Sequence, residues 1–479
     1  MGRRTECLST FVVVQASTSD VLRVAVIADS DTRWKWGALT ARRLSVGDAR
    51  LSGFLLRGRA TPTPRQLAEV GAGVDTAAVQ EVTGAEFLRA VERDRYDVVV
   101  LALVGGAVQA MLHGLAALGS PGAAAEEGAT AAGTAAARTA GEGTAALGKP
   151  ARRPVVVTGY VGVVYEKLAD GLLLRHGADV VLANSPHDAE RFRAVYEGVG
   201  ADASAVTGTA LPFLGGTPYA GGPLKTVVFA AQPSVPASRE GRTYLLRRLV
   251  EHARLHPDRE VLLKLRSQPG EHTTHIEELP YQKLAEKLPG GLPANFRLVY
   301  GHMGDVLDRT DLLVTVSSTA ALESLHRRIP TAVLTDLGIR EALGNHHFLG
   351  SGCLASWDQL DSGASPEADP AWLARQGVAA GGPPAEEGAD DTAFDAVRER
   401  IARLLLEPRL PPIEPYYTHV TAPGYLPGIL ARYRLDAAPA AGTGGVRRVV
   451  RDAVRDAARG AYRHGVQRVA PVIRRMGEL

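Results

Sequence analysis

The chain is poor in the residues that build extracellular scaffolds and thiolate clusters. Among 479 residues there are two cysteines, Cys7 and Cys353. Two thiols make no disulfide framework and no metal cluster, and they fit a reducing compartment. Charge of one sign is also lacking. Lys and Arg number 54 against 52 Asp and Glu, a net +2, which supplies no electrostatic ground for nucleic-acid binding. No uninterrupted apolar stretch approaches the ~20 residues of a membrane span. The start, MGRRTECLSTFVVVQAS, has two arginines and a short apolar run, but Glu6 interrupts it and a buried-type strand follows almost at once. A signal peptide is therefore not expected, and residues 1–20 read as an untrimmed start or a disordered leader. The expected location is the cytoplasm. Only four tryptophans occur, so the pair Trp34 and Trp36 in one stretch is informative.

What is present is an ordinary globular mixture, 45% hydrophobic and 22% charged, in a chain too long for one core. Apolar runs alternate with helical segments. LRVAVIA (22–28), a run near 51–56, YDVVVLAL (96–103), PVVVT (154–158) and DVVLA (179–183) make a first series. TVVFA (226–230), EVLLKL (260–265), FRLV (296–299), LLVTV (312–316) and a run at 331–334 make a second. Unbroken apolar runs separated by helices mark parallel strands buried on both faces. The Gly- and Pro-rich stretch 215–223 is the expected domain boundary. Two Rossmann-like, doubly wound α/β domains are expected, 21–220 and 221–435, facing a central cleft at their C-terminal strand edges. Residues 116–149, nearly all Ala, Gly, Thr and Glu, read as a disordered insertion. Residues 362–391 read as a flexible insertion, and 436–479 as a linker followed by a basic amphipathic helix.

The stretch LLVTVSSTAALESLHRRIPTAVLTD (312–336) carries the most chemistry. A buried strand stops at Ser317, Ser318 and Thr319, which open a helix carrying Glu323. Hydroxyls and backbone N–H groups at such a junction receive an anion. A carboxylate one turn further in can accept hydrogen bonds from a ribose diol, so phosphate and ribose together suggest a nucleotide-linked donor. The alternative stays open, because Ser and Thr cap any helix and Glu is common in first turns. Lys264 and Arg266 alternate on one strand and share a face toward a donor phosphate. They can equally sit at the strand end and reach water. His302 follows a strand and precedes a short helix, a loop position where a lone histidine is more often simply exposed. The loop 29–37, before a helix expected to start near residue 38, holds Asp29, Asp31, Arg33, Trp34, Lys35 and Trp36. Asp31 or Asp29 is the candidate general base, and Arg33, Trp34, Lys35 and Trp36 are candidate acceptor contacts. A helix cap by Asp31 and core packing by the tryptophans is the competing reading. The glycines of Gly159-Tyr160-Val161-Gly162 allow close backbone approach to a ligand, or make a plain turn. His346 and His347 are adjacent, do not share a helix face, and are not expected to bind metal.

Four segments resemble the two-domain glycosyltransferases of GT-B fold, most nearly the bacterial capsule, sialyl- and polysialyltransferases. They are VVLANSPHDAERF with VTGTALPF (180–213), TVVFAAQPS (226–234), EVLLKLRSQPGE (260–271) and VTVSSTAALESL (314–325). The opening ADSDTRWKW (28–36) is similar to that of actinobacterial proteins described as glycosyltransferases. The resemblance covers roughly residues 21–360. It implies a nucleotide-sugar donor bound by the second domain, with Glu323 as donor ligand and His302 near the base or phosphate. One departure stands out: where those enzymes carry His-Pro, this chain has Gln268-Pro269. Lys264, Arg266 or His272 would have to replace the histidine.

The tail differs in kind. Arg447, Arg451, Arg455, Arg459 and Arg463 recur every four residues, opposite small Val and Ala side chains. Residues 446–475 therefore suit weak contact with an anionic membrane surface, or form a solvated or body-packed helix. The combined expectation is a cytoplasmic, metal-independent glycosyltransferase, peripheral to the membrane, without cofactor. It would move a sugar to a cell-envelope glycan or lipid-linked acceptor. The alternatives are a nucleotide-sugar 2-epimerase of UDP-sugar type, and a catalytically silent nucleotide-sugar-binding protein.

Overall fold

The computed structural model describes residues 21–44, 49–58, 60–70, 78–118, 152–163, 168–268, 271, 279–378 and 391–435. The leader, nearly all of 116–149, the end of 362–391, His272 and the basic tail lie outside the described residues.

Each series of apolar runs forms its own parallel sheet. The first contains β1 (Leu22–Ala28), β2 (Ala49–Leu56), β3 (Gln80–Val82), β4 (Val98–Ala102), β5 (Val155–Gly159), β6 (Val180–Ala183) and β7 (Val206–Gly208), in the order β3-β2-β1-β4-β5-β6-β7. The second contains β8 (Thr226–Ala230), β9 (Glu260–Lys264), β10 (Phe296–Val299), β11 (Leu312–Thr315), β12 (Thr331–Leu334) and β13 (Leu354–Ala355), in the order β10-β9-β8-β11-β12-β13. All pairings are parallel. Parallel strands are joined by crossovers that place helices on both faces, so β4 and β5 are buried along their whole length. In each sheet the strand order reverses beside the first strand. That crevice, β1/β4 in one sheet and β8/β11 in the other, is where open α/β sheets bind ligands.

The first domain carries helices α1 (Asp31–Leu44), α2 (Pro64–Ala68), α3 (Gly84–Asp94), α4 (Gly105–Leu118), α5 (Leu168–Leu173) and α6 (Pro186–Gly198). The second carries α7 (Arg239–Leu255), α8 (Tyr281–Ala285), α9 (Met303–Leu307), α10 (Ala320–His326), α11 (Trp357–Asp361) and α12 (Pro370–Arg375), before α13 (Asp395–Leu406) and α14 (Leu426–Arg432). This is the two-sheet α/β plan of the GT-B class.

Three expectations change. Residues 391–435 do not belong with the second sheet. Phe394, Val397, Ile401 and Leu410 pack with Val24, Val98 and Val155 on one face of the first sheet. Ile413, Leu426 and Leu430 pack with Phe87, Val99 and Met111 on the other. Each such side chain withdrawn from water contributes about 1.5–3 kcal/mol, enough to carry the chain back across the domain boundary. The stretch 362–391 is not flexible as a whole. Asp369 caps α12 through its side chain, and Trp372 and Leu373 are buried against Phe348 and Val378. Finally, α4 extends to Leu118, three residues into the expected insertion.

Candidate functional site

A cleft of about 1030 Å³ opens between the C-terminal strand edges of the two sheets. Its first wall is α1. Ser30 starts this helix, its carbonyl accepting from the Trp34 N–H at 2.8 Å, and acidic Asp31 sits in the positive first turn. The helix thus begins at Asp31, seven residues before the expected start, because the polar run 29–36 is a helix face and not a loop. Asp31 and Lys35 are four apart and share that face. Both line the cleft, with Arg33.

The tryptophans go the other way. Trp34 and Trp36 are both 0% exposed, which overturns their assignment as acceptor contacts. A Cβ on Gly53 would come within 2.5 Å of the Trp34 ring, so that glycine makes room for the indole. Trp36 donates from Nε1 to Asn184 Oδ1 at 3.3 Å, and Asn184 in turn donates to the Tyr160 carbonyl at 2.6 Å. These indoles anchor α1 to its sheet. Asp29 is also committed elsewhere. It accepts from Arg33 at 2.8 Å and from the Val104 N–H at 3.0 Å, and it is not among the residues lining the cleft.

The second wall comes from strand ends. Lys264 closes β9 and is 7% exposed, so it does not reach water; its ammonium donates to the Leu265 carbonyl at 2.7 Å. Burial pushes this ammonium down from the ordinary 10.5 to about 8. Arg266 lies just beyond the strand. His302 caps α9, 3.3 Å from Asp305, and is partly exposed. Ser318 accepts from the Ala320 N–H at 3.2 Å and opens α10. Ser317 also lines the cleft, but it is only 1% exposed. Its hydroxyl donates to the Leu343 carbonyl at 2.5 Å, and its N–H donates to Gln232 at 3.0 Å. It shapes the loop, and its hydroxyl is committed within the protein.

Two ion pairs cross between the walls. Arg266 holds Asp31 through two nitrogens, with Nε 3.1 Å from Oδ2. Lys35 Nζ is 3.2 Å from Glu323 Oε2, and both side chains are mostly buried. Burial alone would push the Asp31 carboxyl up, but the charge and hydrogen bonds of Arg266, with Thr32, hold it below the usual carboxylate range. A third contact lies nearby: Glu271 accepts from Arg65 Nε at 2.7 Å and from Thr63 at 3.3 Å. It ties the loop holding Gln268 to the first domain. Gly162, at φ +140°, brings a first-domain loop against Thr319, whose Oγ1 would lie 3.0 Å from an added Cβ. Only glycine combines that backbone with that approach.

Residues 24–395 match the family described as "Putative glycosyltransferase (DUF6716)". The chain belongs to this family. Among solved structures it is similar to the S. aureus MnaA–UDP co-structure, at 11% identity and TM-score 0.49, over 81% of this chain and 99% of that one. It is also similar to UDP-GlcNAc 2-epimerase from Neisseria meningitidis bound to UDP-GlcNAc, at 8% identity, TM-score 0.44, and 80% and 100% coverage. A third is the glycosyltransferase SnogD from Streptomyces nogalater, at 16%, 0.38, and 80% and 95% coverage. No curated protein sequence matches the chain. The topology of the two sheets, not these likenesses, defines the fold.

In this DUF6716 chain the cleft gathers Asp31, Arg33, Lys35, Lys264, Arg266, His302, Ser317, Ser318, Thr319 and Glu323, and leaves out Asp29 and both tryptophans. Sequence reasoning missed Arg175. Its guanidinium is buried beside the cleft under the Tyr160 ring, 4.1 Å from the centroid, and donates to the carbonyls of Gly159, Gly171 and Leu103. An arginine closing an apolar helix gives no sign of burial; only the fold exposes it. Gln232, which holds Ser317, was legible as the polar residue following the strand TVVFAA. Among the described residues no helix is long and apolar enough to cross a membrane.

Proposed function

We propose that this protein transfers a sugar from a nucleotide-sugar donor to a glycan or lipid-linked acceptor of the cell envelope. The observation that carries the reading is the pairing across the cleft: Asp31 with Arg266, and Lys35 with Glu323. Each pair consists of groups a donor and acceptor would engage separately. A ribose diol on Glu323 takes the place of Lys35. The donor phosphates take Arg266, Lys264 and the freed Lys35, with Ser318 and Thr319 beside them. Asp31 then loses its counter-ion, its proton affinity rises, and it is available to take the acceptor hydroxyl proton as the sugar leaves the phosphate. Positive charge and hydroxyls stabilise the departing phosphate, and no metal is required in this scheme. His302, which lines the same cleft, would contact the base or phosphate in this scheme. Donor binding and base release are one event, so an acceptor is deprotonated only when a donor is in place.

A second reading is nucleotide-sugar epimerisation. It is favoured by one observation: carboxylates line the cleft from both domains, Asp31 and Glu69 from one and Glu323 from the other, while the indoles expected to hold an acceptor are buried.

The test is thermal denaturation of the purified protein with UDP, CMP, CDP, GDP and their sugars, beside Ser318→Ala and Glu323→Ala. A ligand at a hundredfold excess over its dissociation constant stabilises the fold by ~2.7 kcal/mol. One nucleotide should stabilise the parent and leave Glu323→Ala nearly unmoved. A well-folded parent indifferent to every nucleotide would sink both readings. Epimerised sugar formed without any acceptor would select the second.

A further inference from the structure

A second polar cluster lies in the second domain and takes no part in the cleft. His252 and His256 close the C-terminal turn of α7, four residues apart and on one helix face. Their rings are 4.6 Å apart between centroids. His252 is 0% exposed, sits 5.5 Å from the Trp357 ring, and has Nδ1 2.6 Å from Asp361 Oδ1 at the end of α11. The Nε2 atoms of both histidines are buried and find no hydrogen-bond partner among the described residues. One donor atom from each of His252, His256 and Asp361 lies within 4.8 Å of the others.

Two orphaned imidazole nitrogens side by side are costly in a protein interior, and each is a lone-pair donor when its ring is neutral. Arg248, the cation nearest Asp361, is spent on Asp358 at 2.7 Å and Asp361 at 3.0 Å. The turn after α7 is fixed as well, because Asn295 donates to the carbonyls of Ala253, His256 and Arg259. A carboxylate on Nδ1–H that leaves Nε2 to ligate is the usual support of a metal-bound histidine. Imidazole donors suit a borderline divalent ion such as Zn²⁺, and not Mg²⁺ or Ca²⁺, which demand oxygen.

We propose a Zn²⁺ site in which His252 Nε2 and His256 Nε2 ligate, Asp361 orients His252, and water completes the shell. The ion would fix the C-terminal turn of α7, which the His252–Asp361 contact already joins to α11. None of the three residues lines the cleft, so the site is independent of the proposed transfer reaction.

The experiment uses the untagged full chain, stripped with chelator and titrated with Zn²⁺ by calorimetry, with Co²⁺ absorption as a second readout. One equivalent per chain should bind, and the unfolding midpoint should rise. Asp361→Asn and His256→Gln should each weaken Zn²⁺ binding about tenfold or more. His256 is only partly buried, so its variant keeps the fold, and nucleotide-induced stabilisation should be unchanged in it. Failure of the folded parent to take up Zn²⁺, or equal affinity in His256→Gln, would overturn the site.

Discussion

The two sheets share one topology, yet they present their chemistry differently. Counted within each domain, the strand order is 3-2-1-4-5-6 in both, with one further strand in the first. In the first domain the charged cleft residues Asp31, Arg33 and Lys35 ride on one long helix. Asp31, Arg33 and Lys35 face outward from α1 because Trp34, Trp36, Ala38 and Ala41 are driven into the sheet behind them. In the second domain they sit on strand ends and short turns: Lys264 and Arg266 after β9, His302 before α9, and Ser318 and Thr319 before α10, a helix of seven residues. A two-turn helix has a small dipole to offer an anion, so that wall depends on side-chain cations. The first wall is anchored by buried bulk. The second is assembled from strand ends and turns.

The sharpest way to break this comparison is to remove the anchor. Trp36→Ala deletes a fully buried indole and its bond to Asn184, and should cost about 3–5 kcal/mol in unfolding free energy, read by chemical denaturation. If Trp36 instead contacted acceptor, stability would hold and only acceptor affinity would fall. Next in size is Asp31→Asn. The carboxamide keeps the shape but not the charge that faces Arg266, so the unfolding midpoint should fall modestly, while turnover of the nucleotide sugar that binds should fall about 10²- to 10⁴-fold. An Asn variant with full turnover would leave Asp31 as a mere partner for Arg266.

Much of this was legible in the sequence. The apolar runs mark ten of the thirteen described strands, because strands buried on two faces must be apolar throughout; β3, β7 and β13, two or three residues each, carry no such run. The residues placed at strand ends, Lys264, Arg266, Ser318, Thr319 and Glu323, reach the cleft because parallel topology aligns those ends. Two things were not legible. The run 29–36 looked like a loop because its polar residues interrupt the apolar pattern, and sequence alone does not say which face of a helix meets a sheet. The return of residues 391–435 to the first sheet was also hidden. An amphipathic helix advertises an apolar face and not its partner.

The second wall can be titrated. Lys264 is held near 8 by burial, below its ordinary 10.5. It is mostly charged at neutral pH and loses its proton as pH rises through about 8. Nucleoside diphosphate affinity should therefore fall between about pH 7 and pH 9. Lys264→Arg, which stays charged, should flatten that dependence. The effect on stability has the opposite sign. Between the folded and ordinary values the unfolded chain binds more protons, so this group's contribution to stability grows with pH across that window. A parent whose affinity is unchanged over the range would place Lys264 away from the phosphates.

The smallest effect tests whether the walls are coupled at all. Lys35 and Glu323 meet at 3.2 Å with side-chain exposures of 15% and 11%, so screening by water is modest and a double-mutant cycle should return a coupling of about 1 kcal/mol. Phe213 packs against the same ammonium, 4.6 Å from its ring centroid, so Lys35→Met is a better probe than Lys35→Ala because it keeps the stem. The cycle is run twice, without nucleotide and with the nucleotide that stabilises the parent. If the ribose takes Glu323, the coupling present in the free protein should vanish at saturation. If it survives unchanged, the pair is a hinge contact between domains, and the ribose is held elsewhere.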